Sequence, residues 1–186
     1  KGNCAACHVA DPTSRNPADS LFTDFTYDNL GVPRNARIPA NADPAFFDLG
    51  LCGPKRAAPG GDEALCGAFK VPTLRNVGKR VALMHNGFFT QLRDAVAFYA
   101  TRDTDPARWY PGGVPFDDLP PAYHANVNRS EAPYDRKPGE SPRLDDAEID
   151  AIVAFLGTLT DGYGASLAAQ AQPPARRQAA KTTAAR

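Results

Sequence analysis

Five consecutive residues, Cys4-Ala5-Ala6-Cys7-His8, constrain this 186-residue chain more than anything else in its sequence. A Cys-x-x-Cys-His string is the attachment signature of c-type haem. Two thiols three residues apart on one helical turn reach the two vinyl groups of a single porphyrin. The adjacent imidazole then points at the iron as proximal ligand. Cys4, Cys7 and His8 are therefore the candidate haem-binding residues, with His8 on the iron. Thioether attachment takes place outside the cytoplasm, which directs the chain to a bacterial periplasm. Other readings stay open. A thioredoxin-like pair needs a βαβ context that the sequence lacks. A zinc site built from Cys4, Cys7, Cys52 and Cys66 has the right ligand count, and so short a string also arises by chance. In an oxidising compartment Cys52 and Cys66 pair instead, closing a loop of about 15 residues that is worth roughly 3 kcal/mol. Two buried thiols are the alternative.

Composition narrows the rest. The 21 Lys and Arg balance 21 Asp and Glu, which gives no support for a nucleic-acid partner. No run of about 18 apolar residues exists, so no membrane-spanning helix is expected. Eighteen Pro and 15 Gly call for long loops between few regular elements. Three helices are expected. A short one carries Cys4–His8 and stops before Pro12. A second runs from Gln91 to Thr101 behind a Thr90 N-cap, burying the stripe Leu92, Ala95, Val96 and Tyr99. A third opens with the capping pair Asp145 and Glu148 and buries Ile149, Ile152, Val153, Leu156 and Leu159 before ending near Gly162. No strand pattern is convincing, and residues 31–64 and 102–143 read as long loops. The fold class expected is mainly α. Residues 1–163 form the domain, and 164–186 form a disordered Ala/Gln/Arg tail. Without the four cations of that tail, 17 cationic side chains face 21 acidic ones. Lys1 is not an initiator Met, so the chain reads as a processed product or as part of a longer one.

A resemblance becomes specific at Phe69-Lys70-Val71-Pro72-Thr73-Leu74-Arg75-Asn76-Val77 and at Met84-His85-Asn86-Gly87. These strings resemble the Phe-Lys-x-Pro-Thr-Leu-Arg-Asn and His-x-Gly elements of bacterial di-haem cytochrome c peroxidases and MauG-like enzymes. Phe22-Thr23-Asp24 with Asn29-Leu30-Gly31-Val32-Pro33, and the segment Ala154 to Thr160, resemble further parts of the same family in the same order. The match covers about residues 1–163 and corresponds to the C-terminal haem domain alone. It implies a cytochrome c-like haem domain with long loops whose N-terminal helix is missing. The face of Ile149, Ile152, Val153 and Leu156 is then expected to lack its partner.

The resemblance also bears on the sixth iron ligand. Met84, the only methionine, is the candidate that composition offers, since His/Met haems serve electron transfer. In the family the distal ligand falls fourteen residues after the His of the His-x-Gly element. Counted from His85 that position is Tyr99; di-haem peroxidases carry Met there and MauG-like enzymes Tyr. A packed core aromatic is the other reading of Tyr99. A tyrosinate is a hard anion that stabilises oxidised iron, which suits storage of an oxidising equivalent. Arg75 is a candidate for a haem propionate, or a surface ion-pair residue. His85 matches the family's His near the haem, or is a hydrogen-bonded structural His. The backbone carbonyls of Arg80 and Ala82 match positions that hold the family's inter-haem calcium, where the family usually has Thr and Pro. Trp109, Tyr110 and Tyr123 are either an aromatic relay or buried anchors, and His124 shows no partner spacing. The implied function is that of a haem-binding oxidoreductase: the C-terminal half of a MauG-like peroxidase. One haem c and a calcium ion are the implied cofactors. The implied partners are an upstream N-terminal haem domain, hydrogen peroxide, and a protein substrate or small electron donor. The alternative is a mono-haem electron carrier with His8/Met84 ligation.

Overall fold

The computed structural model describes residues 1–11, 13–16, 19–53 and 62–162. The expected tail and the Pro12 helix stop lie outside the described residues. Among these residues regular structure is sparse. Two α-helices are present, α1 (Leu92–Thr101) and α2 (Asp146–Thr158), with short 3-10 turns and loops between them. The Cys4–His8 region forms a 3-10 turn, Cys4–Ala6, rather than an α-helix. Three of the other turns start at a proline, Pro39, Pro106 and Pro121, whose fixed φ suits a first helical position and whose missing N–H is not needed there. One expectation is corrected by a two-residue antiparallel ribbon, β1 (Tyr27–Asp28) against β2 (Phe69–Lys70), with Asp28 opposite Phe69. Two residues are too few to show alternation. No helix among the described residues is long and apolar enough to cross a membrane.

Helix α1 begins one residue later than expected. Leu83 and Phe89 pair as an isolated bridge, which keeps the chain extended through Gln91. Gln91 is therefore the N-cap, without a side-chain cap bond, and Thr90 caps nothing. The two sides of α1 meet different surroundings. Ala97, Phe98 and Ala100 are buried in the core, where the Phe98 ring meets Phe89 and Trp109 at centroid distances of 5.2 and 5.7 Å. The expected stripe of Leu92, Ala95, Val96 and Tyr99 does share one face, but that face lines a cavity. Only Ala95 of the four is fully buried.

Helix α2 has its capping box. Glu148 N–H donates to Asp145 Oδ1 at 2.9 Å, and Asp145 N–H donates to Glu148 Oε2 at 3.1 Å. The apolar face is not left unpartnered as expected: Ile149 and Leu156 are buried, because α1 and the Val77–Lys79 turn pack on them. Gly78 permits that approach, since a Cβ there would lie 3.4 Å from the Gly157 Cα. Phe155, on the far side, remains 51% exposed. Arg93 of α1 ties the helices by donating to Asp146 and Asp150, both at 2.7 Å. The helix stops at Thr158, and Asn76 N–H takes the Leu159 carbonyl at 2.9 Å.

Two further devices hold the loops. Gly31 sits at φ 58°, and a Cβ there would come within 2.3 Å of the Phe116 ring; only glycine fits. Its carbonyl accepts from the Tyr110 hydroxyl at 2.5 Å. Cys52 and Cys66 form a disulfide with Cα atoms 4.9 Å apart, fourteen residues apart in sequence. The double substitution Cys52→Ala, Cys66→Ala is expected to lower stability by about 3 kcal/mol, the loop-closure value for such a spacing. Urea unfolding checks it; an unchanged midpoint contradicts it.

Candidate haem site

The Cys4–Ala6 turn starts from Asn3 in the left-handed region, and His8 N–H closes it on the Cys4 carbonyl at 2.9 Å. Three chemistry-bearing side chains are thereby gathered within five residues. Both thiols are free. Burial pushes the Cys4 thiol up, and burial followed by the Asp24 charge does the same to Cys7. The thioredoxin-like reading lacks its βαβ context, since the only sheet among the described residues is a two-stranded antiparallel ribbon. The zinc reading falls as well, because Cys52 and Cys66 are oxidised to each other and cannot ligate.

The imidazole of His8 is oriented by the backbone. Its Nδ1 lies 2.9 Å from the Phe22 carbonyl, and a carbonyl only accepts, so Nδ1 carries the proton. Nε2 then holds a lone pair, the form a metal-binding histidine requires. Phe22 stands at φ 54°, a left-handed conformation that turns this carbonyl toward the ring. Asp24 N–H donates to the Cys7 carbonyl at 2.9 Å and pins the same segment beneath the turn.

Cys4, Cys7 and His8 open onto a cavity of about 320 Å³. That volume falls within the usual range for ligand pockets of roughly 300–1,000 Å³. Its walls come from the 71–74 segment, Arg80 and residues 82–85, the Leu92/Val96/Tyr99 face of α1, residues 131–134, and Ile152 and Leu156 of α2. The lining is mostly apolar. A macrocycle with two vinyl groups needs such a wall beside two thiols and an imidazole, and the residues present fit it.

Both sixth-ligand candidates, Met84 and Tyr99, line this cavity. Met84 adopts φ 66° within a turn closed by the Leu83–Phe89 bridge. The Tyr99 hydroxyl has no hydrogen-bond partner among the described residues, and burial pushes its ionisation well above the ordinary phenol range. His85 also lines the cavity. Its ring stacks on Phe69 with centroids 3.5 Å apart, and its Nε2 is 3.8 Å from Asp118. Asn86 fastens this turn to the Gly31–Pro33 segment by donating to the Pro33 carbonyl at 2.8 Å and to Asp118 at 2.9 Å. Arg80 and Ala82 stand at the exposed rim of the cavity.

Other candidates lie elsewhere. Arg75 is not among the lining residues; its Nε donates to the Ser20 carbonyl at 2.9 Å, and its guanidinium lies 5.6 Å from the centre of the Phe22 ring. Trp109 and Tyr110 are core residues, with the indole N–H on Thr101 Oγ1 at 3.0 Å. His124 Nε2 donates to the Leu119 carbonyl at 2.9 Å, and Tyr123 packs against the core.

Sequence reasoning missed Asp28, Glu131 and Tyr134, all of which line the cavity. Asn128 Nδ2 bridges the two carboxylates at 3.1 and 3.0 Å, and burial raises the Asp28 carboxyl above its ordinary range. The Tyr134 ring lies 5.8 Å from that of Tyr99. Glu131 and Tyr134 reach the site from a loop and Asp28 from the two-residue β1, where no periodicity announces a facing direction.

Comparison with known proteins follows the same line. No family model matches the chain. It is 38% identical over 165 residues to the methylamine utilization protein MauG of Paracoccus denitrificans (strain Pd 1222), covering 86% of this chain and 39% of MauG. The fold matches the crystal structure of the diheme peroxidase BthA from Burkholderia thailandensis E264 with a TM-score of 0.80 and 53% identity, over 87% of this chain and 39% of that one. A Tyr-to-Met variant of BthA matches with a TM-score of 0.81 and 52% identity, over the same shares. The chain thus spans about 39% of the length of these relatives. On this identity and this fold, the chain matches the C-terminal region of the MauG-like di-haem peroxidases.

Proposed function

We propose that this chain is the C-terminal haem domain of a MauG-like di-haem peroxidase and holds an oxidising equivalent during hydrogen peroxide-dependent oxidation. The observation that carries the reading is the convergence of two free thiols, a correctly protonated imidazole and an unpartnered phenol on one apolar cavity. Cys4 and Cys7 would hold one haem c by thioethers, and His8 Nε2 and the Tyr99 oxygen would ligate its iron. The haem supplies one-electron redox chemistry when bound. The chain's own residues set its conditions. The Phe22 carbonyl keeps His8 in the ligating tautomer. Leu74, Leu92, Val96 and Ile152 exclude water from the cavity. The Tyr99 oxygen, deprotonated as a ligand, brings an anionic charge that favours the oxidised state.

Within this reading the domain is a mainly α, cytochrome c-like unit of residues 1–163, followed by the 164–186 tail. An upstream haem domain meets hydrogen peroxide, and a protein side chain or a small donor supplies electrons. The carbonyls of Arg80 and Ala82, at the cavity rim, take part in a calcium site toward that domain. Thioethers and a disulfide together suit the periplasm. A pyridine haemochrome spectrum of the purified chain tests the reading: one c-type haem per chain is expected, and a colourless protein from a haem-attaching host contradicts it.

A further inference from the structure

Tyr134 is 5% exposed, and its hydroxyl donates to nothing among the described residues. That hydroxyl is not sealed in the protein interior, since the one fully enclosed and unpartnered side-chain polar atom among the described residues is Arg136 Nε. Tyr134 lines the cavity beside Tyr99. The two rings sit 5.8 Å apart with their planes tilted by 34°. Buried phenols ordinarily find an acceptor. Here two neighbouring ones face the same space, both as donors, with none between them.

The Tyr134 ring also meets a cation. The guanidinium of Arg102 lies 4.3 Å from its centre. Arg102 is 1% exposed and immobile: Nε and one terminal nitrogen donate to Asp103, and the terminal nitrogens also reach the carbonyls of Leu30 and Asn128. A fixed cation against the π face draws density from the ring and strengthens the phenolic O–H as a donor. The Asp28 and Glu131 carboxylates in the same wall are already engaged by Asn128.

We propose that Tyr134 is a positioning residue of the haem site, donating its phenolic hydrogen to the Tyr99 oxygen once that oxygen has lost its own proton to ligation. The inference rests on the Tyr99 ligation proposed above. Tyr134 thereby moderates the charge that Tyr99 delivers, while Arg102 holds the Tyr134 ring in register. The test uses the haem-loaded chain and the substitution Tyr134→Phe, which keeps the ring, its packing and its contact with Arg102. Without the donor, Tyr99 becomes a stronger anionic ligand. The midpoint potential is expected to fall and the ferric spectrum to shift, with the ligand set unchanged. In a Tyr99→Phe background, Tyr134→Phe is expected to move neither. An unchanged potential in Tyr134→Phe, while Tyr99→Phe alters the ferric spectrum, overturns this inference alone. An equal shift in both backgrounds also overturns it. A ferric spectrum that Tyr99→Phe leaves untouched removes the ligation on which it stands.

Discussion

Mixed with hydrogen peroxide and an electron donor, the haem-loaded chain is expected to turn over at least about 100-fold more slowly than the same chain joined to an upstream haem domain. Peroxide chemistry needs an open position on the iron and a proton-transferring group within hydrogen-bond reach. The second of these typically contributes about 10²–10⁴-fold. If His8 and Tyr99 occupy both axial positions, no site is left for peroxide in this domain. Tyr99 is also held within the core-facing helix α1, where Phe98 on one side of it is fully buried. Displacing the phenol would disturb that packing. Steady-state assays with and without the upstream domain decide the matter. Full-rate turnover by the 186-residue chain alone would contradict both the ligand assignment and the division of labour between two haems.

Replacing Tyr99, the proposed iron ligand, gives the second large effect. Tyr99→Phe is expected to change the ferric spectrum outright and to raise the midpoint potential, because a hard anion that favours oxidised iron is lost. Met84→Leu is expected to leave the ligand set intact although Met84 lines the same cavity. The sign follows from the two donors: a phenolate stabilises ferric iron and a thioether ferrous iron. Burial favours the neutral phenol of Tyr99 in the haem-free chain, so under the proposed ligation its deprotonation would accompany iron binding. The reverse pattern, with Met84→Leu altering the spectrum and Tyr99→Phe silent, favours the electron-carrier alternative.

How much of this was legible in the sequence differs between elements. Helix α2 was readable at its start, where the signals are local (a capping box and apolar residues at helical spacing), but it ends at Thr158 and not near Gly162 as expected. The partner of its apolar face was not readable. The packing of α1 and the Val77–Lys79 turn against Ile149 and Leu156 is a long-range contact that no local pattern encodes. Helix α1 shows a subtler difficulty. Its stripe was visible, yet periodicity cannot tell a core-facing side from a cavity-facing one; Phe98, outside the stripe, took the core. Thr90 failed as a cap because the Leu83–Phe89 bridge set where the chain could turn. The motif Cys4-Ala5-Ala6-Cys7-His8 carries its proposed chemistry in its spacing alone, the spacing that thioether attachment requires. The carbonyl that orients His8 comes from Phe22, fourteen residues on, in a backbone conformation that its side chain does not signal. Asp28 reaches the cavity from the two-residue β1, and Glu131 and Tyr134 from a loop; all three became visible only in three dimensions.

The most direct measurement is the mass of the chain matured in a periplasm equipped to attach haem. A single adduct of one haem is expected, carried on the peptide that contains Cys4 and Cys7, with Cys52 and Cys66 recovered as a disulfide. An unmodified mass from that host, or an adduct on any other peptide, would contradict the haem domain itself.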